Sequence, residues 1–554
     1  MSLRTLYQTL LDSDLARLRA IAHQWEIELT AERRVDVAAE LADAMARAER
    51  VERALAVLPT STRAALDDLL RHEGALPWAI FARRWGELRA AGPGRVEREA
   101  LWRDPASSLE DLWYRGFVQR AFEERAVGHV EMAFVPEELR LYMPAPPPLV
   151  IPPPEPVVQP AYECMGTDAL ADDLVTLWAG LQAASVDASA APWRESVLRW
   201  LDAPAEVKLG LLETLAQEQG WVRQEEGPAL RLAPDSVLAW LQADLWEQWS
   251  RLARAWMESR RWNDLAFVPT LRPDPVKGWP DNPFSARNAV FDMVRHCVPG
   301  TWYDVEQFVA YVREHATDFL RPDGDYDTWA LRDTLTDIPL RGFDAWDGVE
   351  GALIAFMLTG PMAWLGMVDV GGSALLPRSV FRLNEAGAAL LGLGEPPHLP
   401  EPPLARWRAD GIIAAPARRR YERFQLSRIA LEGRRGEDGA YVYYLTPASL
   451  ARARQQRISV ARILGFLEQA TGRAVPPHLV TAIEQAYQGP PPARLERVWL
   501  LRVDEAALLD SPDVRPLIRE LLGPGMALIH EDDRERALAM LSKRGILLEF
   551  VDVC

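Results

Sequence analysis

Four stretches of the chain alternate apolar and polar residues over three or four positions and then change to the apolar spacing of a helix. They read AFVPEELRLYM, LRLAPDSVLAWL, VFRLNEAGAALLG and VYYLTPASLARA, and they begin at Ala133, Leu230, Val380 and Val442. Alternation favours a β-strand, whereas recurrence every three or four residues favours an amphipathic helix. The same strand-to-helix corner is therefore predicted four times, with the helix opened by Pro136, Pro234, Asn384 and Pro447.

Helices and a two-stranded ribbon precede these corners. In the first copy, STRAALDDLL, PWAIFARRW and SLEDLWYRGFVQRAF predict three helices, and VGHVEMAFV predicts strands. In the second, KLGLLETLAQEQG predicts a helix and WVRQEEGPALRL a hairpin that turns at Glu226-Gly227. In the last, RFQLSRIALEGRRGEDGAYVYYL predicts a hairpin around an arginine-rich turn. Tandem winged-helix-like modules are the simplest interpretation, and chance recurrence of a common corner is the alternative.

The two ends of the chain have other patterns. Residues 14–45 predict a helix, a short extended link and a second helix, which is similar to the DNA-binding SAP-type fold and also compatible with a plain helical hairpin. The tail, 497–551, predicts strand, helices, strand, helix and strand, and hence a small α/β domain with one face of its sheet covered. The expected fold class is α+β and mainly helical, with tandem winged-helix-like modules and a small C-terminal α/β domain.

Proline marks the predicted boundaries. Residues 144–160 contain nine prolines and predict an extended polyproline II spacer, and two further proline-rich breaks lie at 395–403 and 489–492. The predicted domains are an N-terminal helical and winged-helix-like domain at 1–143, a central domain at 161–394, an arginine-rich winged-helix-like domain at 404–488, and an α/β domain at 493–554.

The composition limits the possible functions. The 554 residues carry a net charge of −18, so a protein that coats nucleic acid with its whole surface is not expected, and any contact with DNA must be local. The cysteines Cys164, Cys297 and Cys554 are widely spaced, which fits a reducing cytoplasm, and the amphipathic, partly acidic N-terminus does not resemble a signal peptide.

One uncharged run, 351–368, has the length of a membrane span. It contains Gly360-Pro361 at its centre and has no flanking lysine or arginine. We therefore expect a buried helix, a second helix that starts at the proline, and a strand, with no membrane contact.

No catalytic motif was found. The lysines Lys208, Lys277 and Lys543 do not follow glycine, so the phosphate-binding loop of an ATPase is missing. The adjacent His296 and Cys297 cannot chelate one zinc ion together, and no cofactor is expected.

The aspartates Asp323, Asp325 and Asp327 have the first spacings of a calcium loop, but its glycine and its final glutamate are missing. A loop that faces solvent or a partner is favoured over a metal site. The apolar residues 241–256 have helical spacing and include Trp249 and Trp256. They predict core packing more strongly than a surface on which bases stack.

Positive charge is concentrated at 405–462, where thirteen arginines face five acids. Arginine binds phosphate oxygens bidentately, so this segment is the candidate DNA-binding site. The alternative is a basic face that docks onto an acidic partner or onto another domain of this acidic chain. The candidate residues are Arg418, Arg419, Arg420, Arg423, Arg428, Arg434, Arg435, Arg452, Arg454 and Arg457.

The last quarter of the chain resembles the helicase-associated region of bacterial relatives of XPB-type helicases. The resemblance is carried by Tyr444, Leu445, Thr446, Pro447, Ile463, Phe466, Leu467, Pro476, Pro477, Leu501, Arg502, Val503 and Asp504. It implies a DNA-contacting accessory region, but the two motor lobes of that family are absent. The expected function is a non-catalytic DNA-binding accessory protein that works with a separate helicase or nuclease subunit. A protein-interaction scaffold is the alternative, and a metal-dependent nuclease is not expected.

Overall fold

The computed structural model describes residues 4–125, 128–186, 193–224, 230–273, 282–409, 411–436, 438–488, 499–529, 533–544 and 546. Its fold is α+β and mainly helical, as predicted, and the described strands form small antiparallel sheets. The chain divides into two compact units, one of residues 1–444 with 468–473 and one of residues 445–467 with 474–554. The division lies inside the predicted arginine-rich domain, because its sheet belongs to the first unit.

The N-terminal part combines a helical layer with a three-stranded sheet. Its helices are α1 (Leu6–Leu11), α2 (Leu15–Gln24), α3 (Arg34–Met45), α4 (Ala48–Ala56), α5 (Thr60–Arg71), α6 (Trp78–Trp85), α7 (Pro93–Glu99), α8 (Ser108–Tyr114) and α9 (Glu137–Arg140). Its strands are β1 (Ala75–Pro77), β2 (Gln119–Arg125) and β3 (Gly128–Phe134), in the sheet order β1-β3-β2. The predicted helix–extension–helix is present, since α2 and α3 flank a non-helical link.

The third predicted helix of this part is too long. It ends at Tyr114, and β2 begins at Gln119 within the stretch that the pattern assigned to the helix. Gly116 causes the change, because its φ of +73° reverses the chain in a conformation that side-chain-bearing residues avoid. The chain thus turns into the hairpin four residues after the helix.

The central part is larger. Its helices are α10 (Ala169–Val186), α11 (Trp193–Leu198), α12 (Ala205–Glu218), α13 (Pro234–Leu241), α14 (Leu245–Glu258), α15 (Pro283–Val294), α16 (Val305–His315), α17 (Ala352–Thr359), α18 (Pro361–Trp364) and α19 (Glu385–Leu390). Its strands are β4 (Tyr162–Cys164), β5 (Val222–Gln224), β6 (Leu230–Leu232), β7 (Leu271–Pro273), β8 (Trp302–Asp304), β9 (Leu331–Asp333), β10 (Val368–Gly372) and β11 (Val380–Leu383). The predicted turn at Glu226-Gly227 lies outside the described residues.

The N-terminal and central parts share one order of elements. In the first, α5, β1, α6 and α8 precede the β2–β3 hairpin; in the second, α15, β8, α16 and α17–α18 precede the β10–β11 hairpin. In both, the strand that lies between the helices pairs with the second strand of the hairpin, β1 with β3 and β8 with β11. The apolar run at 351–368 forms α17, α18 and the start of β10, as predicted, and no helix in the described ranges is long and apolar enough to cross a bilayer.

The proline-rich segment 144–160 has no helix or strand. It is nevertheless held against the central part, because Val157 N donates to Trp302 O (2.8 Å) and Tyr311 Oη donates to Pro152 O (2.9 Å). Pro154 is buried. These contacts hold the segment against the central part.

The arginine-rich sheet consists of β12 (Arg406–Ala409), β13 (Ile412–Ala415), β14 (Leu431–Arg435) and β15 (Tyr441–Tyr444), in the order β12-β13-β15-β14. The prediction that the hairpin starts at Arg423 is wrong, because residues Arg420–Ile429 form helix α20. Phe424 and Leu426 are two apart, which is the spacing of a strand. The buried face of the helix is completed by two charged residues, Arg420 and Arg423, which a hydrophobic pattern does not count.

The C-terminal part has helices α21 (Pro447–Gln455), α22 (Val460–Thr471), α23 (Pro477–Gln488) and α24 (Arg534–Lys543), and strands β16 (Trp499–Arg502), β17 (Ile518–Gly523) and β18 (Met526–Ile529). The sheet order is β16-β18-β17. The predicted helices of the tail, EAALLDSPDVRPLIRELLG at 505–523, are wrong for the last six residues, because these form β17, which pairs with β18 across a turn in which Gly525 has a φ of +77°. The predicted last strand, 546–551, lies almost wholly outside the described residues.

All four predicted strand-to-helix corners are present, as β3 to α9, β6 to α13, β11 to α19 and β15 to α21. Pro234 and Pro447 occupy the first helical positions, where the missing N–H of proline costs no hydrogen bond. Asn384 caps α19 by accepting from Gly387 N, and Thr446 caps α21 by accepting from Ser449 N. The corners are therefore built by local capping chemistry.

The corner at α19 leads to a prediction about stability. A Cβ atom on Gly387 would lie 1.9 Å from Met367 O, so Gly387→Ala should lower the free energy of unfolding by about 1–3 kcal/mol or more. The matched control is Gly210→Ala in α12, where the nearest atom to the new Cβ is Trp262 Cζ3 at 3.7 Å. This control should be stabilising by about 0.5–1 kcal/mol in urea unfolding, because alanine favours helix. Equal effects of the two substitutions would contradict the close packing of this corner.

Candidate functional site

Helix α20 packs its arginines against helix α10. Arg420 and Arg423 are each 1% exposed and lie three residues apart, which puts them on the same face of the helix. The facing residues are Asp168, which is next to the first turn of α10, and Asp172 within that helix; they are 3% and 6% exposed. A charge buried to this extent is stable only when it is paired and hydrogen-bonded.

Arg420 is paired on every side. Its Nε donates to Asp172 Oδ1 (2.8 Å), its Nη2 donates to Asp168 Oδ2 (2.6 Å), and its Nη1 donates to Gln248 Oε1 (3.0 Å). Nη2 also donates to Asp168 O (3.0 Å). The guanidinium therefore joins α20, α10 and α14 inside the first unit.

Arg423 is bound mainly by neutral groups. Its Nη1 donates to Asp172 O (3.3 Å) and to Ala417 O (3.1 Å), and its Nη2 donates to Thr176 Oγ1 (3.0 Å). The guanidinium carbon lies 3.3 Å from the centre of the Tyr441 ring, so the cation also rests on an aromatic face of β15. Arg423 thus fixes the sheet and the helix α10 to each other.

Two further arginines lie at the edge of this network. Arg418 Nε donates to Asp168 Oδ1 (2.9 Å), and Arg435 Nη2 donates to Asp173 Oδ1 (3.4 Å). Their side chains are 30% and 35% exposed. The arginine–aspartate cluster is defined here as these seven residues: Arg418, Arg420, Arg423, Arg435, Asp168, Asp172 and Asp173.

Burial dominates the electrostatics of Asp173. Desolvation raises the pKa of its carboxyl to about 6, although Lys208 and Arg435 oppose the shift by favouring the charged form. Lys208 is affected in the opposite direction, since burial lowers the pKa of its ammonium group. The cluster is therefore desolvated around Asp173, as it is around Asp168 and Asp172.

The predicted DNA-binding surface at Arg420 and Arg423 is corrected by this geometry. Neither guanidinium faces solvent, and both would have to leave buried partners before they could clamp a phosphate. Arg418, 30% exposed, is also bound to the buried Asp168 carboxylate through Nε and Nη2. These residues instead dock a basic face onto another domain of this acidic chain, which was the alternative expected from the sequence.

The other predicted arginines of the first unit are also engaged within the chain. Arg419 Nη2 donates to Pro402 O (2.6 Å) and to Glu401 Oε1 (3.2 Å), and its Nε donates to Pro403 O (3.2 Å). Arg428 Nη1 donates to Gln425 Oε1 (3.0 Å). The side chain of Arg434 lies outside the described part of the chain.

The three remaining candidates lie in the second unit. Arg452 and Arg454 are on α21, and Arg457 is in the turn before α22 with a φ of +59°. Arg454 and Arg457 are exposed, as is Arg462 on α22, which the sequence analysis did not single out. Arg454 Nη1 donates to Tyr487 O (3.1 Å) at the end of α23. Arg454, Arg457 and Arg462 are thus the exposed arginines that the basic segment contributes to the second unit.

Sequence reasoning missed the aspartates of the cluster. They lie about 250 residues before their arginines, so no local pattern connects the two groups. One feature could have identified them: α10 is an apolar helix whose acids are confined to its beginning. Acids at the start of an otherwise buried helix need cationic partners.

The carboxylates of the acidic loop, Asp323, Asp325 and Asp327, are not arranged around an open site. Asp323 pairs with Arg125 (2.8 Å), and Asp325 accepts from Asp327 N (3.0 Å) and Thr328 N (3.1 Å). Among the described residues, no group of three or more histidines, cysteines or acids is placed to hold a metal ion. Burial raises the pKa of Cys297 to about 12, so this thiol does not supply a reactive thiolate.

The tryptophan-rich helix belongs to the core, as predicted. Trp249 and Trp256 on α14 are 5% and 0% exposed, and Leu252 between them is 1% exposed. Trp256 packs edge-to-face on Phe291, and Trp249 Nε1 donates to Leu365 O (2.6 Å). These rings stabilise the first unit and offer no platform for bases.

The structural role of the cluster leads to a prediction about Arg420. Its replacement by alanine leaves Asp168 and Asp172 buried with too few partners, which should cost about 3–5 kcal/mol of unfolding free energy. The matched control is Arg406→Ala, which removes an arginine that is 64% exposed and paired with Asp438, and should cost at most about 1 kcal/mol. Urea unfolding measures both. A cost for Arg420→Ala no larger than that of the control would contradict the structural role.

Asp173 gives a prediction about pH. Because its pKa rises from the ordinary 3.8 to about 6 on folding, the folded protein holds this proton more tightly than the unfolded chain. The contribution of Asp173 to stability is therefore largest at low pH, falls as the pH rises towards about 6, and levels off above. The unfolding free energy of the wild type minus that of Asp173→Asn should therefore decrease as the pH rises from about 4 to about 6.5, which covers the interval between the ordinary and the raised pKa. A difference that rises with pH would contradict the burial of this carboxylate.

Comparison with known proteins adds no family assignment. No protein-family model matches the chain, and no curated protein is significantly similar to it. The resemblance to the helicase-associated region of XPB-type helicases remains a prediction from the residues themselves.

Proposed function

We propose that this chain is a non-catalytic, DNA-binding accessory protein of the bacterial cytoplasm, built from tandem winged-helix modules. It contacts DNA through the second unit and works beside a separate helicase or nuclease subunit. The observation that carries the proposal is that three arginines within nine residues of the second unit, Arg454, Arg457 and Arg462, are all exposed.

The order of elements supports the winged-helix modules. Both the N-terminal and the central part contain a helix, a strand, at least two further helices and a hairpin in this order, with α7 inserted in the first and β9 in the second, and the strand between the helices pairs with the last strand of the hairpin each time. In the arginine-rich sheet, β13 pairs with β15 in the same way, and α20 takes the place of the helix before the hairpin. Winged-helix and helix-turn-helix modules commonly place that helix on DNA or on protein.

The distribution of charge favours the second unit as the part that contacts DNA. Residues 445–467 contain four arginines and no acid, in a chain whose net charge is −18. The other arginine-rich segment, 418–435, is largely neutralised by carboxylates of its own unit. A polyanion is attracted to the region where positive charge is both local and exposed.

The geometry of α21 and α22 suits this role. The helices are joined by four residues, 456–459, which is the length of a helix-turn-helix connection. On the exposed side of α22 lie Ala461, Arg462 and Gly465, and a Cβ atom on Gly465 would have no heavy atom within 4 Å. Small residues beside an arginine allow the helix to come close to a sugar–phosphate backbone.

The resemblance to the helicase-associated region gives further support, because Tyr444, Thr446 and Pro447 at the start of α21 are among the residues that carry it. The implied partner is a motor or a nuclease encoded elsewhere, since no ATPase motif is present in this chain. The role is therefore to bring a bound partner to DNA.

The proposal predicts the effect of removing the exposed arginines. A variant with Arg454→Ala, Arg457→Ala and Arg462→Ala should bind duplex DNA at least about tenfold more weakly at low salt, with a salt slope smaller by up to about 2–3. The matched control removes the same charge elsewhere, at Arg53, Arg95 and Arg98, which are all exposed in the N-terminal part and lie outside the SAP-like residues 14–45. Gel shift at several salt concentrations measures both variants.

The control variant should keep the affinity and slope of the wild type within about twofold, because long-range effects of exposed charges are screened by salt. Equal losses in both variants would show that binding follows net charge alone. Wild-type protein that does not shift DNA at low salt would overturn the proposal.

A protein-interaction scaffold is the second candidate. The loop between β10 and β11 exposes Leu375 and Leu376, 91% and 65% exposed, at the tip of the central hairpin. Adjacent leucines at a hairpin tip favour contact with protein over contact with DNA. In this case Leu375→Asp with Leu376→Asp would abolish co-purification with a motor subunit in nuclease-treated extracts, and the arginine variant would retain it.

A further inference from the structure

The linker between α19 and β12 crosses a groove of the first unit. The strap is defined as residues 395–403, EPPHLPEPP. Six of its nine residues are exposed, and the half-buried ones are Pro397, Leu399 and Pro402. Most of its surface therefore faces solvent, which leaves few contacts to hold it in place.

Two cavities of about 650 and 540 Å³ lie along the strap and share Pro397, His398, Leu399 and Arg418 as walls. Cavities of this size are in the range of protein binding sites. The strap thus occupies only part of the groove, and space remains for a larger occupant.

Aromatic and apolar side chains line part of the groove, beside polar and acidic ones such as Asp244 and Glu385. Trp249 lines the larger cavity and Trp246 the smaller one, and the two indoles pack edge-to-face with centroids 5.8 Å apart. Leu241 and Leu245 extend this lining on one side, and Met165 does so on the other. Grooves lined by aromatic rings are the general recognition sites for extended proline-rich segments, which lose little entropy on binding.

Arginines along the groove supply the polar contacts. Arg419 binds the strap through the Glu401 carboxylate and through the carbonyl oxygens of Pro402 and Pro403. Arg418 and Arg382 continue the row in the larger cavity, where each is held by a buried aspartate. Among the described residues, neither Arg418 Nη1 nor Arg382 Nη1 has a hydrogen-bond acceptor within the protein. Both are thus available to a further carboxylate or carbonyl oxygen.

We propose that the groove lined by Trp246, Trp249 and Arg419 is a recognition site for an extended, acidic, proline-containing peptide of a partner protein. The strap occupies this site as an internal competitor. The Glu–Pro–Pro sequence that Arg419 holds shows which chemistry the groove accepts. A partner peptide of the same kind displaces the strap and adds contacts to Arg418 and Arg382. This inference does not depend on DNA binding.

The test uses the full-length chain with residues 395–403 replaced by nine glycines and serines, and a fluorescein-labelled peptide of residues 394–404. Fluorescence polarisation should show saturable binding to this strap-replaced protein with a Kd below about 0.1 mM, because a strap tethered at an effective concentration of about 1 mM competes about tenfold only against a peptide that binds this tightly. The wild type should bind at least about tenfold more weakly, because its own strap competes. Circular dichroism and thermal unfolding establish that the replaced protein is folded.

Two matched comparisons define the chemistry. Arg419→Gln in the strap-replaced protein, and a peptide with glutamine in place of Glu401, should each weaken binding about tenfold, as expected for a lost charge-assisted contact. Arg406→Gln, on the exposed strand β12, should leave binding unchanged. Absence of saturable binding by the folded strap-replaced protein overturns the proposal, as does equal binding by wild type and replaced protein, or insensitivity to both glutamine changes.

Discussion

The first unit depends on a buried ion-pair network between α10 and α20. Arg420 lies without solvent contact between Asp168 and Asp172, and Arg423 fills the space between Thr176 and the Tyr441 ring. Desolvating such charges costs several kcal/mol each, so the network is stable only while all partners stay in place. It ties the arginine-rich sheet to the central part, and the division of the chain therefore comes after β15 and not at the proline-rich breaks.

Because of the same network, a segment that is basic in sequence does not form a basic surface after folding. The segment with the highest density of arginine contributes little positive potential, because aspartates from about 250 residues earlier neutralise it. Residues 445–467 have fewer arginines and no acids, and Arg454, Arg457 and Arg462 are exposed. The local balance of exposed positive and negative charge after folding decides where an acidic protein can bind a polyanion. The number of basic residues along the sequence does not decide it.

The strand-to-helix corners and the helices of 351–368 could be predicted because local rules determine them. Proline at the first helical position, and Asn384 or Thr446 at the cap, act within one turn. Helix α20 could not be predicted in this way, because two of the five residues on its buried face are charged. Strand β17 was wrongly predicted as helix for another reason, because its apolar residues are equally compatible with a helix. Only its pairing with β18 determines that this segment is a strand. The aspartate partners of the arginines in α20 could not be predicted either, because they are brought together by tertiary contacts that residue spacing in the sequence does not reveal.

Arginine modification with phenylglyoxal, read by mass spectrometry with and without duplex DNA, tests the central claim most directly. In the free protein, Arg420 and Arg423 should remain unmodified while Arg454, Arg457 and Arg462 react, and DNA should protect only the latter three. Rapid modification of Arg420 and Arg423 in the free protein, with protection by DNA, would contradict the buried network and return the DNA contact to helix α20.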